Sequence, residues 1–373
     1  VTVTYQDGSS EKVKAVWPVK IKEGSYAKTG SFTVSGSLVG FDIPVTAEVT
    51  VVEETGESIK QTAEDFPLED ITLDKTGVNG SILTQNRDRE IDYLKQLDKD
   101  RMLYNFYKNY GETDKLEGLE PLAGWDEPDG LLRGHSTGRY MSALALAYST
   151  EGDEELKADL DHVVHELRRM QEKSSGDPAE FKAKGTNQGV WSKDPSKWGD
   201  GYIGAFPPDQ FSLLEEYTEY GKIWAPYYTL HKLLVGFLDA YTYTGNEEAL
   251  EAAKDLGRWV CRRLGACSRE QLAKMWEMYV AGEFGGCNES LAQLYLYTGD
   301  TAYLDGAKLF DNVSFFDNLQ KNIDDISGRH TNQHISQVIG AVKVYEATVK
   351  AGTPQESYYR LADNFWKMVV SRY

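Results

Sequence analysis

The sequence predicts a mainly α protein, an incomplete (α/α)6 toroid of helical hairpins, preceded by a short antiparallel β-sandwich segment. The first residues alternate apolar and polar positions, later segments from about Phe66 have helical periodicity, and those segments repeat around Gly-containing turns. Because 373 residues exceed what one hydrophobic core usually organises, two units are expected. We assign residues 1–54 to the sandwich, 55–65 to a linker and 66–373 to the helical domain.

Two stretches near the start of the chain predict the short strands. In VTVTYQDGSSEKVKAVW the alternation surrounds a DG turn, and FTVSGSLVGFDIPVTAEVTVVEE repeats the pattern. This segment resembles the bacterial Ig-like domains of secreted and cell-wall proteins, through VTVTYQDGS, the YAKTGSFTVSG turn and the closing AEVTVV strand. The resemblance implies an extracellular or cell-wall-associated bacterial setting. Since the chain opens in mid-strand at Val1, we expect it to be a piece of a longer protein.

The helical region repeats one design, in which a helix ends at a Gly-containing turn and a second helix follows. Gly supplies the positive φ that ends the first helix, and the next residue can cap the second. These turns lie at Gly152–Asp153, Gly245–Asn246 and Gly299–Asp300, with Gly352 in a fourth. The first interval also holds an insertion rich in Gly, Pro, Ser and aromatic residues, which is typical of a functional loop. About four hairpins are predicted, preceded by one helix from Arg87 to Tyr110.

A polar cluster precedes each turn, at or near the start of the first helix of each hairpin. The clusters are GWDEPDGLLRGHSTGRY, IWAPYYTLHK, EFGGCNES and GRHTNQHIS. In an α/α toroid the equivalent ends of the inner helices converge, so these clusters are expected to face one pocket. His135, His231 and His330 recur at matching positions, which favours a functional role over an isolated core histidine. Aromatic residues that could stack on a sugar or simply pack are Trp125, Trp224, Tyr227 and Tyr228.

No metal site is predicted within the chain. His330 and His334 have the i,i+4 spacing that can bind zinc, but no general-base Glu accompanies them, and His334 continues an apolar helical surface. The three cysteines, Cys261, Cys267 and Cys287, form no obvious ligand set. Their odd number also implies no disulfide framework.

The charge of the chain excludes some partners. With 59 Asp and Glu against 40 Lys and Arg, the formal net charge is -19, which repels nucleic acids and anionic membrane surfaces. No apolar run reaches the roughly 18 residues that a membrane-spanning helix needs, and no signal-peptide pattern is present. We therefore expect a neutral substrate or partner, no nucleic-acid binding and no membrane insertion.

The region from about Phe66 to the end resembles the glycoside hydrolases of the β-L-arabinofuranosidase type, families 127 and 146. Five blocks carry the resemblance in the family's order: LTQNRDREIDYLKQLDKDRMLYNF, GWDEPDGLLRGHSTGRYMSALA, WAPYYTLHKLLVGFLDAYTYTGN, EFGGCNESLAQLYLYTGDTAYL and GRHTNQHISQVIGAVKVYE. The resemblance implies an α/α six-hairpin barrel. Its mouth would bind a terminal L-arabinofuranose of an arabinose-containing, plant-type oligo- or polysaccharide.

The resemblance also implies individual sugar-contacting positions, which would hold hydroxyl groups by hydrogen bonds and fix the ring for attack. Together with the stacking candidates Trp224 and Tyr228, these positions form the predicted substrate-binding set: Gln85, His135, Trp224, Tyr228, His231, Glu283, Asn288, Glu289 and His330. The chain departs from the family at several places, which puts the particular sugar in doubt. Arg139 replaces a second His, Cys287 replaces a usual Met, and Thr331, Gln333 and Ser336 depart from a HANTxIP pattern.

In this family the nucleophile is a cysteine thiolate, held on zinc by one glutamate and three cysteines, and a separate glutamate is the acid/base. Zinc lowers a thiol pKa from about 8.5 and keeps the thiolate available. These residues would lie beyond Tyr373, so zinc is expected in the full-length parent and not in this chain. We expect the parent to be a retaining glycosidase and this chain to be inactive. An open toroid would also expose apolar helix flanks, so self-association is expected.

Two other function classes stay open. A different α/α-toroid hydrolase or lyase acting on uronic-acid polymers would show an excess of Arg and Lys in the mouth, whereas the motifs here are mainly neutral and aromatic. A non-catalytic carbohydrate-binding or adhesion protein would bind sugar without turnover.

Overall fold

The structure, a computed structural model, describes residues 2–13, 15–17, 28–38, 41–51, 82–178 and 193–372. The chain divides into two compact units, Val1–Ile71 and Thr72–Tyr373. The predicted linker at 55–65 and the predicted start of the helical domain at residue 66 lie outside the described residues. No helix within the described ranges is long and apolar enough to cross a bilayer.

The described part of the first unit consists of short antiparallel strands. Their bounds are β1 (Thr2–Thr4), β2 (Ser10–Lys12), β3 (Ala15–Val16), β4 (Gly30–Leu38) and β5 (Phe41–Val51). Strand β1 pairs with β2, and the second sheet has the order β3–β4–β5. The predicted DG turn joins β1 to β2, where Oδ1 of Asp7 accepts hydrogen bonds from N and Oγ of Ser9 at 2.9 and 2.6 Å. The predicted alternating strands are therefore present.

The second unit is built from helical hairpins in two layers. The helices of its described part are α1 (Ile82–Gln96), α2 (Lys99–Asn109), α3 (His135–Glu151), α4 (Glu154–Gln171), α5 (Asp209–Glu215), α6 (Pro226–Thr244), α7 (Glu247–Gly265), α8 (Arg269–Glu277), α9 (Cys287–Thr298), α10 (Thr301–Ala307), α11 (Val313–Gln320), α12 (Thr331–Lys350) and α13 (Glu356–Arg372). Helices α3, α6, α9 and α12 pack in that order and form the inner layer, and each packs against its hairpin partner, α4, α7, α10 or α13. The predicted mainly α fold of helical hairpins is confirmed.

Three hairpin turns have the predicted construction. Gly152, Gly245 and Gly299 end the first helix with φ values of 67°, 71° and 72°. These values lie in the left-handed region, which glycine adopts without a steric penalty from Cβ. In each turn the next residue caps the second helix, since its side-chain oxygen accepts a backbone N–H of the first turn. The caps are Asp153, Asn246 and Asp300.

The prediction of one helix from Arg87 to Tyr110 is wrong, because two helices cover this range: α1 ends at Gln96 and α2 starts at Lys99. Oδ1 of Asp98 accepts hydrogen bonds from the backbone N of Asp100 at 2.9 Å and of Arg101 at 3.3 Å. A side chain that satisfies these N–H groups starts a new helix.

The insertion after the first hairpin contributes to the core. Residues 179–192 of this predicted functional loop lie outside the described ranges. In the following segment Trp198 and Tyr202 are buried, and their rings meet edge to face at 5.9 Å between centroids. The indole of Trp259 in α7 donates to the carbonyl of Trp198 at 2.8 Å. This part of the insertion therefore packs as a structural support.

Helices α3 and α6 cross with their backbones nearly touching. A Cβ atom on Gly138 would lie 2.0 Å from the carbonyl oxygen of Lys232, and one on Gly236 would lie 2.7 Å from the carbonyl oxygen of Gly138. Real side chains do not fit at such distances. The two glycines therefore fix α3 against α6, and with it the spacing of the side chains that both helices present beside the crossing.

Candidate functional site

The N-terminal ends of the inner helices meet at one end of the second unit. The rings of His135 in α3 and Tyr228 in α6 have their centroids 5.9 Å apart. Gly286, immediately before α9, packs against the imidazole of His231 in α6, because a Cβ atom there would lie 2.4 Å from its Cε1. The polar clusters that the sequence places at these helix starts are therefore neighbours in space.

His135 is held by acceptors beneath its ring. Its Nδ1 lies 3.0 Å from Oδ2 of Asp126 and 2.9 Å from the carbonyl oxygen of Leu132. Since both atoms accept hydrogen bonds, we assign the proton to Nδ1. In the neutral ring Nε2 is then an acceptor, and no hydrogen-bond partner of Nε2 occurs in the described part of the chain. His135 therefore has an acceptor nitrogen that no described residue occupies, and its predicted sugar contact stays a prediction.

Asp126 is the functional candidate that sequence reasoning missed. It is buried, and its oxygens accept from N of Gly134 at 2.6 Å and from Oγ of Ser136 at 2.5 Å. Burial alone raises the pKa of Asp126, but the hydrogen bonds from His135 and Ser136 outweigh it and lower the pKa below the ordinary 3.8. The signal in the sequence was the Asp of the GWDEPDGLLRGH block, nine residues before the histidine it supports.

Two aromatic rings flank His135. The ring of Trp125 lies 6.0 Å from it between centroids, at 51°, and that of Tyr228 lies 5.9 Å away, at 32°. Trp125 is 69% exposed, whereas Tyr228 is 7% exposed. An exposed indole beside a hydrogen-bonding imidazole suits a ligand with an apolar C–H face and a polar edge.

The chain makes a sharp turn immediately before α6. The helix begins at Pro226, because Ala225 adopts a left-handed conformation with φ 41°. Ala225 donates its N–H to the carbonyl of Val280 at 2.9 Å, and a Cβ atom on Gly282 would lie 2.4 Å from the Ala225 Cβ. Left-handed alanine is strained and persists only where its surroundings enforce it. The strain turns the chain sharply before the helix.

Trp224 lies on the outer side of this turn in a group of three aromatic residues. Its ring centroid is 5.0 Å from that of Tyr220 and 4.9 Å from that of Tyr279. Both tyrosines are exposed, and Trp224 is half-buried against the small apolar cluster that includes Tyr228. The predicted stacking residue Trp224 therefore packs against the cluster that contains Tyr228, and its sugar contact stays a prediction.

Two cationic side chains contact Tyr228. Arg139 Nη2 donates to the hydroxyl of Tyr228, and the Arg139 Cζ lies 5.8 Å from the ring centroid. Nζ of Lys232 lies 5.0 Å from the same centroid. Burial lowers the pKa of Lys232 below its ordinary value, and the charge of Arg139 lowers it further. Both residues stand in the quoted motifs, but the sequence gave no indication that they contact the same tyrosine.

His231 lies beneath the surface of the site. It is 6% exposed, and both ring nitrogens are buried without a hydrogen-bond partner in the described residues. Burial, followed by the charges of Lys232 and Arg139, lowers the pKa of His231 to about 3, so the ring is neutral at pH 7. Its predicted sugar contact stays a prediction, because neither nitrogen reaches solvent in this structure.

Asn288 connects two inner helices. Its Oδ1 accepts from N of Gly286 at 3.1 Å and from N of Glu289 at 3.0 Å, and its Nδ2 donates to the carbonyl of Gln337 in α12 at 3.2 Å. A Cβ atom on Gly340 would lie 1.9 Å from the same Oδ1. These bonds tie the start of α9 to α12, and the predicted sugar contact of Asn288 stays a prediction.

The two predicted glutamates differ in their surroundings. Glu283 is half-buried, and its Oε1 accepts a hydrogen bond from Nδ2 of Asn332 in α12 at 3.3 Å. Glu289, in the first turn of α9, is also half-buried, and burial raises its pKa despite the nearby charges of Lys343 and Lys232. Glu283 thus lies where α9 and α12 start.

The histidines of the HTNQH block are used locally. His330 is exposed and caps α12, since its Nδ1 accepts from N of Gln333 at 3.3 Å. Nδ1 of His334 lies 2.9 Å from the carbonyl oxygen of His330, and its ring packs edge-on against Phe315 at 4.9 Å between centroids. The described ranges contain no group of three or more His, Cys, Asp or Glu side chains that could hold a metal ion.

Gln85 lies apart from this group. It is exposed in the first turn of α1, two residues before Arg87, whose Nη1 lies 2.7 Å from Oε1 of Glu151. Glu151 is the last residue of α3, whereas His135 is the first. The structure therefore places Gln85 near the other end of α3, and its predicted sugar contact stays a prediction.

Two family models match different parts of the chain. The model described as "Beta-L-arabinofuranosidase, GH127 catalytic domain" matches residues 77–373, and that described as "Bacterial Ig-like domain (group 4)" matches residues 1–41. A search of curated proteins finds no match to the chain.

Two solved structures are similar to the chain at low identity. A GH127 β-arabinofuranosidase shares 16% identity with a TM-score of 0.43, over 76% of this chain and 41% of that chain. A GH127 β-L-arabinofuranosidase from Geobacillus stearothermophilus T6 shares 14% identity with a TM-score of 0.41, over 79% of this chain and 43% of that chain. The chain therefore spans less than half the length of either relative.

Proposed function

Because the chain belongs to the GH127 β-L-arabinofuranosidase catalytic-domain family, we propose that it forms the sugar-binding part of an enzyme that releases terminal L-arabinofuranose from arabinose-containing plant-type glycans. The observation that carries this proposal is His135, which is oriented by buried Asp126 and flanked by the rings of Trp125 and Tyr228. A retaining mechanism and an extracellular or cell-wall location belong to the same proposal. The Ig-like match at residues 1–41 supports the location.

The arrangement suits one small neutral ring. Nε2 of His135 accepts a hydrogen bond from a sugar hydroxyl, since Nδ1 carries the proton that faces Asp126. The exposed face of Trp125 covers the C–H face of the ring. Each hydrogen bond made in this way contributes about 1 kcal/mol, so binding of a single sugar is expected to be weak.

Bond cleavage requires groups beyond this binding set. The zinc expected in the full-length parent has no ligand set in the described residues. Cys287 is buried with its Sγ 3.3 Å from the carbonyl oxygen of Tyr227, and burial raises the pKa of its thiol. A thiol in that environment is a poor nucleophile. The chain's own contribution in this proposal is therefore to bind and orient the terminal sugar.

Binding of methyl β-L-arabinofuranoside to the 373-residue chain, followed by ligand-observed NMR, tests the proposal. The expected result is saturable binding that weakens at least about tenfold in His135→Ala, which corresponds to roughly 1.4 kcal/mol. His165→Ala is the matched control, because that imidazole is mostly exposed and contacts Glu248 on the outer layer. Equal affinities of the His135 and His165 variants, or no binding by the wild type, would overturn the proposal.

Turnover separates an enzyme from a sugar-binding protein. The assay measures release of para-nitrophenol from para-nitrophenyl β-L-arabinofuranoside, with and without a zinc chelator. If the chelator abolishes the release of para-nitrophenol, the result supports zinc-dependent hydrolysis by the protein that was assayed. Sugar binding without release in the full-length parent, with zinc present, favours a carbohydrate-binding protein instead.

A further inference from the structure

We infer that Arg139 of α3 and Lys232 of α6, which both contact Tyr228, form a subsite for one carboxylate. The glycan bound here then carries a uronic acid at or next to the sugar that contacts His135. The inference rests on the proposed function for the position of the terminal sugar. It adds the chemical class of the neighbouring sugar residue, which neither the family match nor the motifs indicate.

The two cations are brought together by the fold. Arg139 follows Gly138, whose Cβ position lies 2.0 Å from the carbonyl oxygen of Lys232 itself. The backbones of α3 and α6 are therefore in contact at these two residues. Both charged groups also lie at one ring, since Cζ of Arg139 is 5.8 Å and Nζ of Lys232 is 5.0 Å from the centroid of Tyr228.

Neither charge is neutralised within the described chain. Glu283 and Glu289 lie near enough to favour the charged form of Lys232, yet no carboxylate among the described residues comes within 4.0 Å of Lys232 or Arg139. By contrast, Arg169 contacts Glu112 at 2.6 Å and Arg263 contacts Glu215 at 2.7 Å, so each of these two cations has a carboxylate partner. The half-buried ammonium of Lys232 is disfavoured both by burial and by the charge of the exposed Arg139, and an anion that joins them would offset both effects.

The hydroxyl and ring of Tyr228 supply the remaining features of a carboxylate site. The phenol is hydrogen-bonded by Arg139, which leaves the other guanidinium donors for a ligand. A guanidinium matches the two oxygens of a carboxylate, and an ammonium adds charge without fixed geometry. The ring centroid of Tyr228 lies 5.9 Å from that of His135, so a sugar bound at His135 has its neighbour within reach of both cations.

A single carboxylate fits the charge of the whole chain better than a polyanion does. The formal net charge of -19 repels densely charged polymers at long range. At physiological ionic strength charges more than about 8 Å away are largely screened, so the local pair of cations governs a ligand in contact with it. A mostly neutral glycan with one uronic acid satisfies both conditions.

The test compares D-galacturonate with its neutral counterpart D-galactose, both titrated into the 373-residue chain at low ionic strength. D-Galacturonate is expected to bind at least tenfold more tightly. Arg139→Gln and Lys232→Gln are each expected to remove most of this preference, and added salt is expected to reduce it. Arg139 is exposed, so Arg139→Gln carries the test even where Lys232→Gln fails to fold.

Lys274→Gln is the matched control, because Nζ of Lys274 lies 3.7 Å from the ring centroid of Tyr217 and repeats the lysine–tyrosine contact elsewhere in the unit. Equal binding of the two sugars, or a preference that survives both substitutions, would overturn the carboxylate subsite. Methyl β-L-arabinofuranoside is titrated into the same samples. If it binds through His135 while galacturonate shows no preference, only this inference fails; if galacturonate alone binds, the proposed function fails and the subsite stands.

Discussion

Nδ1 of His135 lies 3.0 Å from Oδ2 of Asp126, and both side chains are nearly buried at the start of α3. This contact determines which nitrogen of His135 faces the ligand. Asp126→Asn replaces a carboxylate that only accepts by an amide that also donates, so only the carbonyl of Leu132 still holds the proton on Nδ1 of His135 without competition. We expect a loss of about 1 to 3 kcal/mol in unfolding free energy and about tenfold weaker binding of methyl β-L-arabinofuranoside.

Urea unfolding and NMR titration of the same sample measure both effects. Asp129→Asn is the control, since that carboxylate is fully exposed and lies 3.8 Å from its nearest cation, Lys108. Sugar affinity that is as strong in Asp126→Asn as in Asp129→Asn would show that the contact does not orient His135 for binding.

His231 makes the stability of the protein depend on pH. Its pKa is lowered from 6.5 to about 3 in the folded protein, so below pH 6.5 the unfolded chain binds a proton that the native state does not. The contribution of His231 to stability is therefore fully present above pH 6.5 and is lost as the pH drops towards 3, by up to about 1.4 kcal/mol per pH unit. His231→Leu is expected to remove this slope, measured by urea unfolding at several pH values.

At neutral pH the same variant is expected to be at least as stable as the wild type, because it removes two buried nitrogens that have no partner in the described residues. A slope between pH 5 and 6.5 that is as steep in His231→Leu as in the wild type would contradict the assignment. The variant also tests the sugar contact predicted for His231. If His231→Leu keeps the fold but loses arabinofuranoside binding, the imidazole of His231 contacts the sugar.

At Gly245 the hairpin turn requires glycine only because of the backbone conformation. No atom lies within 4 Å of the Cβ position there, yet φ is 71°. Gly245→Ala is therefore expected to lower the unfolding free energy by about 1 kcal/mol, through left-handed strain. Gly265, at the end of α7, has the same open surroundings without a positive φ. Gly265→Ala is expected to be neutral or stabilising, and thermal melts that rank the two variants in the opposite order would contradict this explanation.

The exposed apolar faces of α12 and α13 predict self-association. Ile335, Ile339 and Val342 on α12 are 39%, 50% and 40% exposed, and Trp366 on α13 is 67% exposed. Large apolar side chains exposed in this way favour association with another surface that covers them. Sedimentation velocity is expected to show concentration-dependent dimers or larger species, which Ile339→Ser with Trp366→Ser reduces. A wild type that sediments as a monomer at every concentration would show that these side chains do not associate.

The features predictable from the sequence were those set by local interactions. The hairpin turns could be predicted from Gly152, Gly245 and Gly299, because each turn needs a left-handed conformation that glycine alone adopts easily. The break between α1 and α2 was missed, since Asp98 stands in a run of charged residues that also suits a continuous helix. An N-cap is a weak signal where no glycine or proline accompanies it.

The chemistry of the site was predictable only in part, because it depends on contacts between distant segments. His135 could be identified from its motif, but the approach of Lys232 to Arg139 depends on two glycines where α3 crosses α6. The burial of His231 likewise depends on Gly286, 55 residues further along the chain. Such packing leaves no periodic pattern in the sequence.

The most direct test of the account is a crystal structure of the chain with methyl β-L-arabinofuranoside. We predict that the sugar ring lies against the exposed face of Trp125, with a hydroxyl oxygen about 2.7 to 3.2 Å from Nε2 of His135. A furanoside bound at another place, with His135 and Trp125 free of ligand, would contradict the central claim that the starts of α3 and α6 form the sugar site.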